Sequence, residues 1–400
     1  MGDQHPETEA VILRPPHEPG IFGQLGAHLR AGRLVAFPTE TVYGLGANGL
    51  DAAAVLQIFE AKGRPLTDPC ILHVANAADA LNLLDMDALP DGRPLFEELT
   101  KAFWPGPLSI VGPARPAVPP EVTASTGFVA VRCPSHPIAR QLVEAAGVPL
   151  AAPSANRFGH ISPTLPEHVM EDLGHVSFLK ILDGGPCDVG IESTVVKIDT
   201  AGRLLLLRRG GVTPERLEEF LGDCFKSGKL QEPVSLVSPS RSQPVVKAEE
   251  EAQVAPGMML KHYAPSVHTV LLSPPRTAGA AEAASSGDFM KASVSRSVLI
   301  DFRAGQAERH GKFLKVFELC EAGSSGTAEE ACRRVFGTLR EAEAFAQAQQ
   351  ADLICIAEFD PSGLGGYAEA LHDRLFRSAS GQRAVLVEDG SKFLALRTMP

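Results

Sequence analysis

Short apolar strands that alternate with helix-patterned segments predict an α/β protein with a mixed sheet. Three observations carry this. Apolar runs rich in Val, Ile and Leu recur at 34–37, 71–74, 129–132, 148–152, 195–198 and 204–207. Segments of helical periodicity fall between several of them. The chain has 400 residues, too many for one ordinary core, so two units are expected.

The elements follow in order. Residues 21–31 read as a helix, with Phe22, Leu25 and Leu29 on one stripe and Gly32 as its stop. After the strand at 34–37, Asp51 is an N-cap for a helix through Lys62, with Val55, Leu56 and Phe59 expected inward. A strand covers 71–74. The Pro-Gly-Pro turn within 103–113 leads into another, and 129–132 is a short buried strand. A helix at 137–147 ends on Gly147, and the strand at 148–152 follows. The runs at 195–198 and 204–207 read as paired strands joined through Thr200-Ala201-Gly202.

From 226 to 264 Pro, Ser and charge displace this pattern, which predicts an interdomain linker. A second α/β unit then starts, with strands at 268–272, 297–302, 314–317 and 353–357. It is expected to be parallel and Rossmann-like in shape. A long helix spans 328–349, with Ala331, Val335, Leu339, Ala342 and Phe345 on its inner face, and a last helix begins near Gly366. Gly363-Leu364-Gly365-Gly366 reads as a structural turn, because no GxGxxG fingerprint is present.

Bulk composition excludes several classes. Hydrophobic residues make up 44% and charged residues 21%, as in globular proteins. The net charge of −11 argues against gripping nucleic acid through a global basic field. No apolar run approaches the ~18 residues of a membrane helix, and the polar, acidic start resembles neither a secretory signal nor a transit peptide. The seven cysteines form no CxxC pair, and the histidines show no ligand spacing. Reduced thiols, a cytoplasmic location and no structural metal site are therefore expected.

Polar chemistry gathers at strand ends, where ligands of open α/β sheets bind. Thr39, Glu40 and Thr41 form a hydroxyl-rich turn after the first strand. Lys62 and Arg64 flank Gly63 at a helix end, with Pro65 next; the stopped helix lets both face one anion, although two solvated residues complementing the helix dipole fit the spacing equally. Ser154-Ala155-Asn156 suits phosphate or sugar oxygens, and alone is also an ordinary polar turn. Arg132 ends an apolar strand and needs a carboxylate or phosphate partner. Arg208-Arg209-Gly210-Gly211 adds positive charge before a glycine turn.

The segments PTETVYGLG, KGRP, SAN followed by SPT, and ESTVV followed by LRRGG together resemble the YrdC-like threonylcarbamoyl-AMP synthase family over about residues 20–220. APGMMLKHYAP at 255–265 and the second unit resemble its long two-domain form. The resemblance implies a YrdC-like mixed twisted sheet domain at 1–225, a linker at 226–264 able to act as an active-site lid, and a smaller Rossmann-like domain at 265–400. It implies condensation of L-threonine, bicarbonate and ATP into threonylcarbamoyl-AMP with release of pyrophosphate. A tRNA threonylcarbamoyl-transferase complex then takes the product.

By the same resemblance, Lys62 and Arg64 are the catalytic pair, and Thr41, His73, Arg132, Ala152 and Ser193 bind L-threonine, with Arg132 as carboxylate anchor. Lys62, Arg64, Asp68, Ser154, Asn156, Ser162, Arg208 and Tyr263 hold ATP, which brings Mg²⁺ with it. Three residues depart from the family pattern: Phe128 stands where Thr is common, Asp68 where Asn is frequent, and Arg209 where Pro is usual. Two rivals differ in class. One is a module for double-stranded RNA or tRNA, of which weak tRNA contact would be the remnant. The other is a carbamoyl-transfer protein, whose zinc-finger-like cysteines and acylphosphatase segment are not found in this sequence.

Overall fold

The computed structural model describes residues 9–14, 20–89, 91–199, 203–238, 252–257, 259–260, 262–273, 290–302, 313–321, 323–324, 326–386 and 393–397. The Thr200-Ala201-Gly202 turn, Met258 and Lys261 lie outside the described residues. Contacts divide the chain into two units. The first holds residues 1–158 and 162–259; the second holds 159–161 and 260–400.

The first unit is built on eleven strands: β1 (Val11–Leu13), β2 (Val35–Phe37), β3 (Gly44–Asn48), β4 (Ile71–His73), β5 (Leu108–Pro113), β6 (Phe128–Arg132), β7 (Leu150–Ala151), β8 (Lys180–Leu182), β9 (Thr194–Ile198), β10 (Leu204–Arg208) and β11 (Leu236–Val237). Their order is β1-β8-β2-β3-β7-β4-β6-β5-β9-β10-β11. Parallel pairs such as β4 with β6 sit beside antiparallel pairs such as β5 with β6, so the sheet is mixed as expected.

Alternation along each strand divides the side chains between two faces. One face carries Ala36, Leu45, Leu72, Val131, Val196 and Leu206 into the main core. The other face has two coverings. Val35, Phe37, Leu150 and Leu182 pack with residues of the helices Ile21–Arg30 and Pro137–Ala146. Ile71, Val111, Ala130 and Val195 pack with Phe128, Val254 and Ala255.

Asp51 caps the helix Ala52–Lys62, accepting from the Ala53 and Ala54 amides at 3.0 and 3.3 Å. Its buried stripe is Val55, Ile58, Phe59 and Lys62. Leu56, expected inward, is 41% exposed, because it falls on the flank of that i, i+3, i+4, i+7 stripe. The sequence reading also passed over β1, β8 and the helices Gly92–Phe103, Pro166–Leu173 and Pro214–Lys226.

The segment read as a linker is not a plain tether. Leu236–Val237 extends the sheet beside β10. Gln253 and Ala255 are fully buried, and the Gln253 amide donates to the Thr67 carbonyl at 2.8 Å. Residues 252–257 are thus a strap laid on the first unit's sheet, fixed by Val254 and Ala255 in its apolar patch.

The second unit has strands β12 (Thr269–Ser273), β13 (Met290–Ser293), β14 (Ser297–Asp301), β15 (Lys315–Glu318), β16 (Leu353–Ala357), β17 (Arg383–Leu386) and β18 (Phe393–Arg397), in the order β13-β18-β17-β12-β16-β14-β15. The run from β17 to β15 is parallel. β18 runs antiparallel to both β17 and β13, so the expectation of a parallel sheet holds for the centre and fails at this edge. The helix Ala328–Ala348 buries Ala331, Val335, Leu339 and Ala342. Gly365, at φ 83°, turns the chain into the helix Gly366–Ser378.

Candidate active site

Most of the polar residues singled out in the sequence belong to the first unit, several of them on its strap-covered face. Register explains the first group. His73 on β4 pairs with Arg132 on β6, so both side chains leave the same face. The β5–β6 register pairs Ile110 with Val131, which brings Ser109 next to Arg132 one step along. Ser193, at the start of β9, faces Ser109 with their hydroxyl oxygens 2.8 Å apart.

Arg132 is buried among polar partners. One arm donates to Thr41 Oγ1 at 3.0 Å, the other lies 2.7 Å from Glu40 Oε1, and Nε donates to the Gly106 carbonyl at 3.3 Å. The turn 39–42 presents these partners. Thr39 donates its hydroxyl proton to the Val42 carbonyl and accepts from the amides of Thr41 and Val42. The Thr41 hydroxyl therefore donates to Thr39, 2.8 Å away, and keeps a lone pair for Arg132. Burial works against ionising Glu40, but Arg132 and the Ser135 amide outweigh it and hold the carboxyl below its usual range. Burial, aided by Arg132, pulls His73 down to about 3, so its imidazole is neutral.

The second group gathers around the KGR turn. Gly63, at φ 63°, ends the helix in the left-handed conformation, and the Arg64 amide closes back on the Phe59 carbonyl at 2.9 Å. Lys62 and Arg64 then diverge onto different partners instead of sharing one. Lys62 Nζ donates to the carbonyls of Ser154 and Asn156 at 2.6 and 2.5 Å. Arg64 donates to the carbonyls of Asp68 and Pro69 and pairs with the Asp68 carboxylate at 3.0 Å. Burial, with Arg64 nearby, pulls Lys62 down to about 7. Burial pushes the Asp68 carboxyl above its usual range, against the pull of Arg64, Lys62 and Arg208.

Arg208 links both groups. It donates to the Ser193 carbonyl and hydroxyl at 3.1 and 3.0 Å, and to the Pro256 carbonyl of the strap at 3.2 Å. The following Gly210 is obligatory, since a Cβ there would lie 2.2 Å from the Glu192 carbonyl oxygen. Ser162 donates to Glu192 at 2.8 Å. Asn156 uses its side-chain amide on the neighbouring Arg157 carbonyl, and Ala152 lines the apolar floor with Val35 and Phe37.

Tyr263 follows the strap in the chain. It belongs to the second unit, fully buried, with its ring 5.2 Å from Phe336 and the Arg374 guanidinium 5.6 Å from its centre. Phe128 is partly buried, and Lys197 Nζ sits 3.3 Å from its ring centre. Three participants escaped the sequence reading. Glu40 was seen only as part of a turn, and Ser109 and Glu192 were not singled out. Ser109 had a signal, a polar residue inside the run Leu108-Ser109-Ile110-Val111.

Fold and site together define a two-unit α/β protein with adjoining subsites, one arranged around a buried arginine that suits a carboxylate, the other around three cations that suit a polyanion. Residues 27–210 match the Sua5/YciO/YrdC family, described as "Telomere recombination", and residues 212–380 match the threonylcarbamoyl-AMP synthase C-terminal domain. The threonylcarbamoyl-AMP synthase of Pyrococcus abyssi is 37% identical over 90% of this chain and 94% of its own length. That of Bacillus subtilis is 42% identical over 61% of this chain and 64% of its own. The crystal structure of P. abyssi Sua5 complexed with L-threonine superposes with a TM-score of 0.70 at 33% identity, covering 92% of this chain and 97% of that one. The chain belongs to the threonylcarbamoyl-AMP synthase family.

Proposed function

We propose that the protein is an L-threonylcarbamoyladenylate synthase. The observation that carries this is the adjacency of the two subsites: Arg132 with Thr41 and Glu40 on one side, Lys62, Arg64 and Arg208 on the other, with Ser193 between Ser109 and Arg208. The P. abyssi relative was solved with L-threonine bound, which supports assigning a threonine carboxylate to Arg132.

The chemistry follows from those two sites. The threonine amine adds to bicarbonate with loss of water, giving an N-carboxylate. A carbamate oxygen then forms a bond to the α-phosphorus of ATP, the bond to the β-phosphate oxygen breaks, and pyrophosphate leaves. Carbamate is short-lived in water, so the face must exclude solvent, and the strap 252–257 lies where it can do so. Charge develops on the leaving pyrophosphate, and Lys62, Arg64 and Arg208 are the cations to meet it. Magnesium enters with the nucleotide as part of the substrate. Ser154, Asn156 and Ser162 would complete the nucleotide site. His73, Ala152 and Ser193 would enclose threonine.

The product is expected to pass to a tRNA-modifying complex in the cytoplasm. Among the described residues no helix is long and apolar enough to cross a membrane. The test is pyrophosphate release by the purified chain. Release that needs threonine, bicarbonate and ATP together supports the assignment. Release indifferent to threonine overturns it.

A further inference from the structure

On this functional reading, the three cations assigned to the nucleotide phosphates already act on one carboxylate of the chain itself. Asp68 is fully buried. The chain turns back after Pro65, whose carbonyl accepts the Asp68 amide at 3.1 Å, and this places the carboxylate 3.0 Å from Arg64 Nη2. Arg64, Lys62 and Arg208 all attract it, the Gly257 amide of the strap donates to it, and the Cys70 thiol is a further titratable group that feels its charge. Neither carboxylate oxygen receives a well-formed side-chain hydrogen bond. Its stabilisation is therefore mainly charge attraction, as a phosphate oxygen's would be.

A triphosphate arriving at these cations meets that carboxylate as a like charge in a low-dielectric pocket, where such juxtaposition is costly. Asn, with the same shape, would donate a hydrogen bond instead. Burial has already brought Asp68 closer to accepting a proton than an exposed aspartate. We propose that Asp68 stands in for a phosphate group in the ligand-free protein, and that nucleotide binding is coupled to uptake of a proton on its carboxylate. The proton comes from solvent, adds to a carboxylate oxygen, and no other bond changes. Nucleotide binding raises the affinity of Asp68 for that proton further. Affinity for ATP then weakens as pH rises through the range between the free and bound states, by up to about tenfold per pH unit.

The experiment is calorimetric titration of the full chain with magnesium ATP, in pairs of buffers of differing ionisation heat, for the natural protein and Asp68→Asn. Ionisation of the nucleotide is common to both and cancels. The natural protein should take up as much as about one proton more per nucleotide than the variant, and the variant should bind about tenfold tighter at the alkaline end with a flatter pH profile. Binding by both with equal proton uptake overturns the inference and leaves the synthase assignment intact. No binding by either overturns the nucleotide site and the inference with it. Should the variant not fold, heats of the natural protein that do not depend on buffer or pH overturn the coupling by themselves.

Discussion

Arg132 shows how a side chain acquires a role from its surroundings. It is held by Thr41, Glu40 and the Gly106 carbonyl, so its fork is fixed before any substrate arrives. Lysine keeps the charge but cannot copy a fixed planar fork. Arg132→Lys should raise the threonine KM by about 10- to 100-fold, the size of a charge-assisted hydrogen bond, with the ATP KM little changed. Steady-state kinetics decide it, and equal shifts in both constants would exclude the carboxylate anchor. Lys62 supplies a test in pH. Burial lowers its folded-state value to about 7 from an ordinary 10.5. Between those values the unfolded chain binds more protons than the folded one, so stability rises with pH across that window. Relative to Lys62→Met, the natural protein should gain up to about 1.4 kcal/mol per pH unit there, read by denaturant titration. Parallel stability curves would mean that the two carbonyls bonded to Nζ keep the ammonium charged at ordinary strength.

At the scale of elements, local backbone geometry decides which turns can form the site. Gly210 lies against the backbone of Glu192, Ser193 and Thr194, and a Cβ would come within 2.2 Å of a carbonyl that cannot move without the strand. Gly210→Ala should displace Ser193 and Arg208 together and cost about 1–3 kcal/mol, the usual range for overpacking, measured as a lower melting temperature with weaker ATP and threonine binding. Unchanged binding and melting would show the turn to be soft. Phe128 packs with Ile71, Val111, Ala130, Val195 and the strap residues Val254 and Ala255. The family resemblance puts Thr at this position, which leads one to expect that Phe128→Thr tightens ATP binding or leaves it unchanged. Its packing gives the opposite expectation: lost apolar contact destabilises the protein by about 2 kcal/mol and loosens the strap. Tighter ATP binding at an unchanged melting temperature would restore the first view. Much of the sheet was legible because buried strands are continuous Val, Ile and Leu runs, and because Asp51, Gly63 and Gly147 mark helix ends by simple steric rules. The sheet edges were not. β1 and β11 are too short to show a period, and the antiparallel pairing of β18 follows from partners far away in the chain. The LFEELTKAF helix was readable in principle, with Leu95, Phe96 and Leu99 on one buried stripe. At the site, basic and hydroxyl residues were visible at strand ends, whereas the internal pairs Arg64–Asp68 and Arg132–Glu40 became visible only once the turns were closed.

For the whole molecule, the question is where the catalytic unit ends. Sequence composition set the boundary at 225, with a polar linker beyond it. Structure carries the first unit's contacts on to residue 259. Val254 and Ala255 fill its apolar patch, Gln253 bonds to Thr67, and Pro256 holds Arg208. A chain cut after Val237 should keep the eleven-stranded sheet but lose the strap, leaving Phe128 and Ala130 exposed and Arg208 short of one acceptor. A chain cut after Met259 should keep the strap. Both should fold, because the sheet and its main core are complete in each. Only the longer one should release pyrophosphate at a rate within about tenfold of the full chain, since water exclusion and the placement of Arg208 both depend on the strap. Limited proteolysis adds a readout independent of turnover: threonine with ATP should slow cleavage around residues 239–260 in the full chain and in the longer fragment. Equal activity of the two fragments, with cleavage indifferent to ligand, would reduce the strap to a spacer and return the boundary to 225.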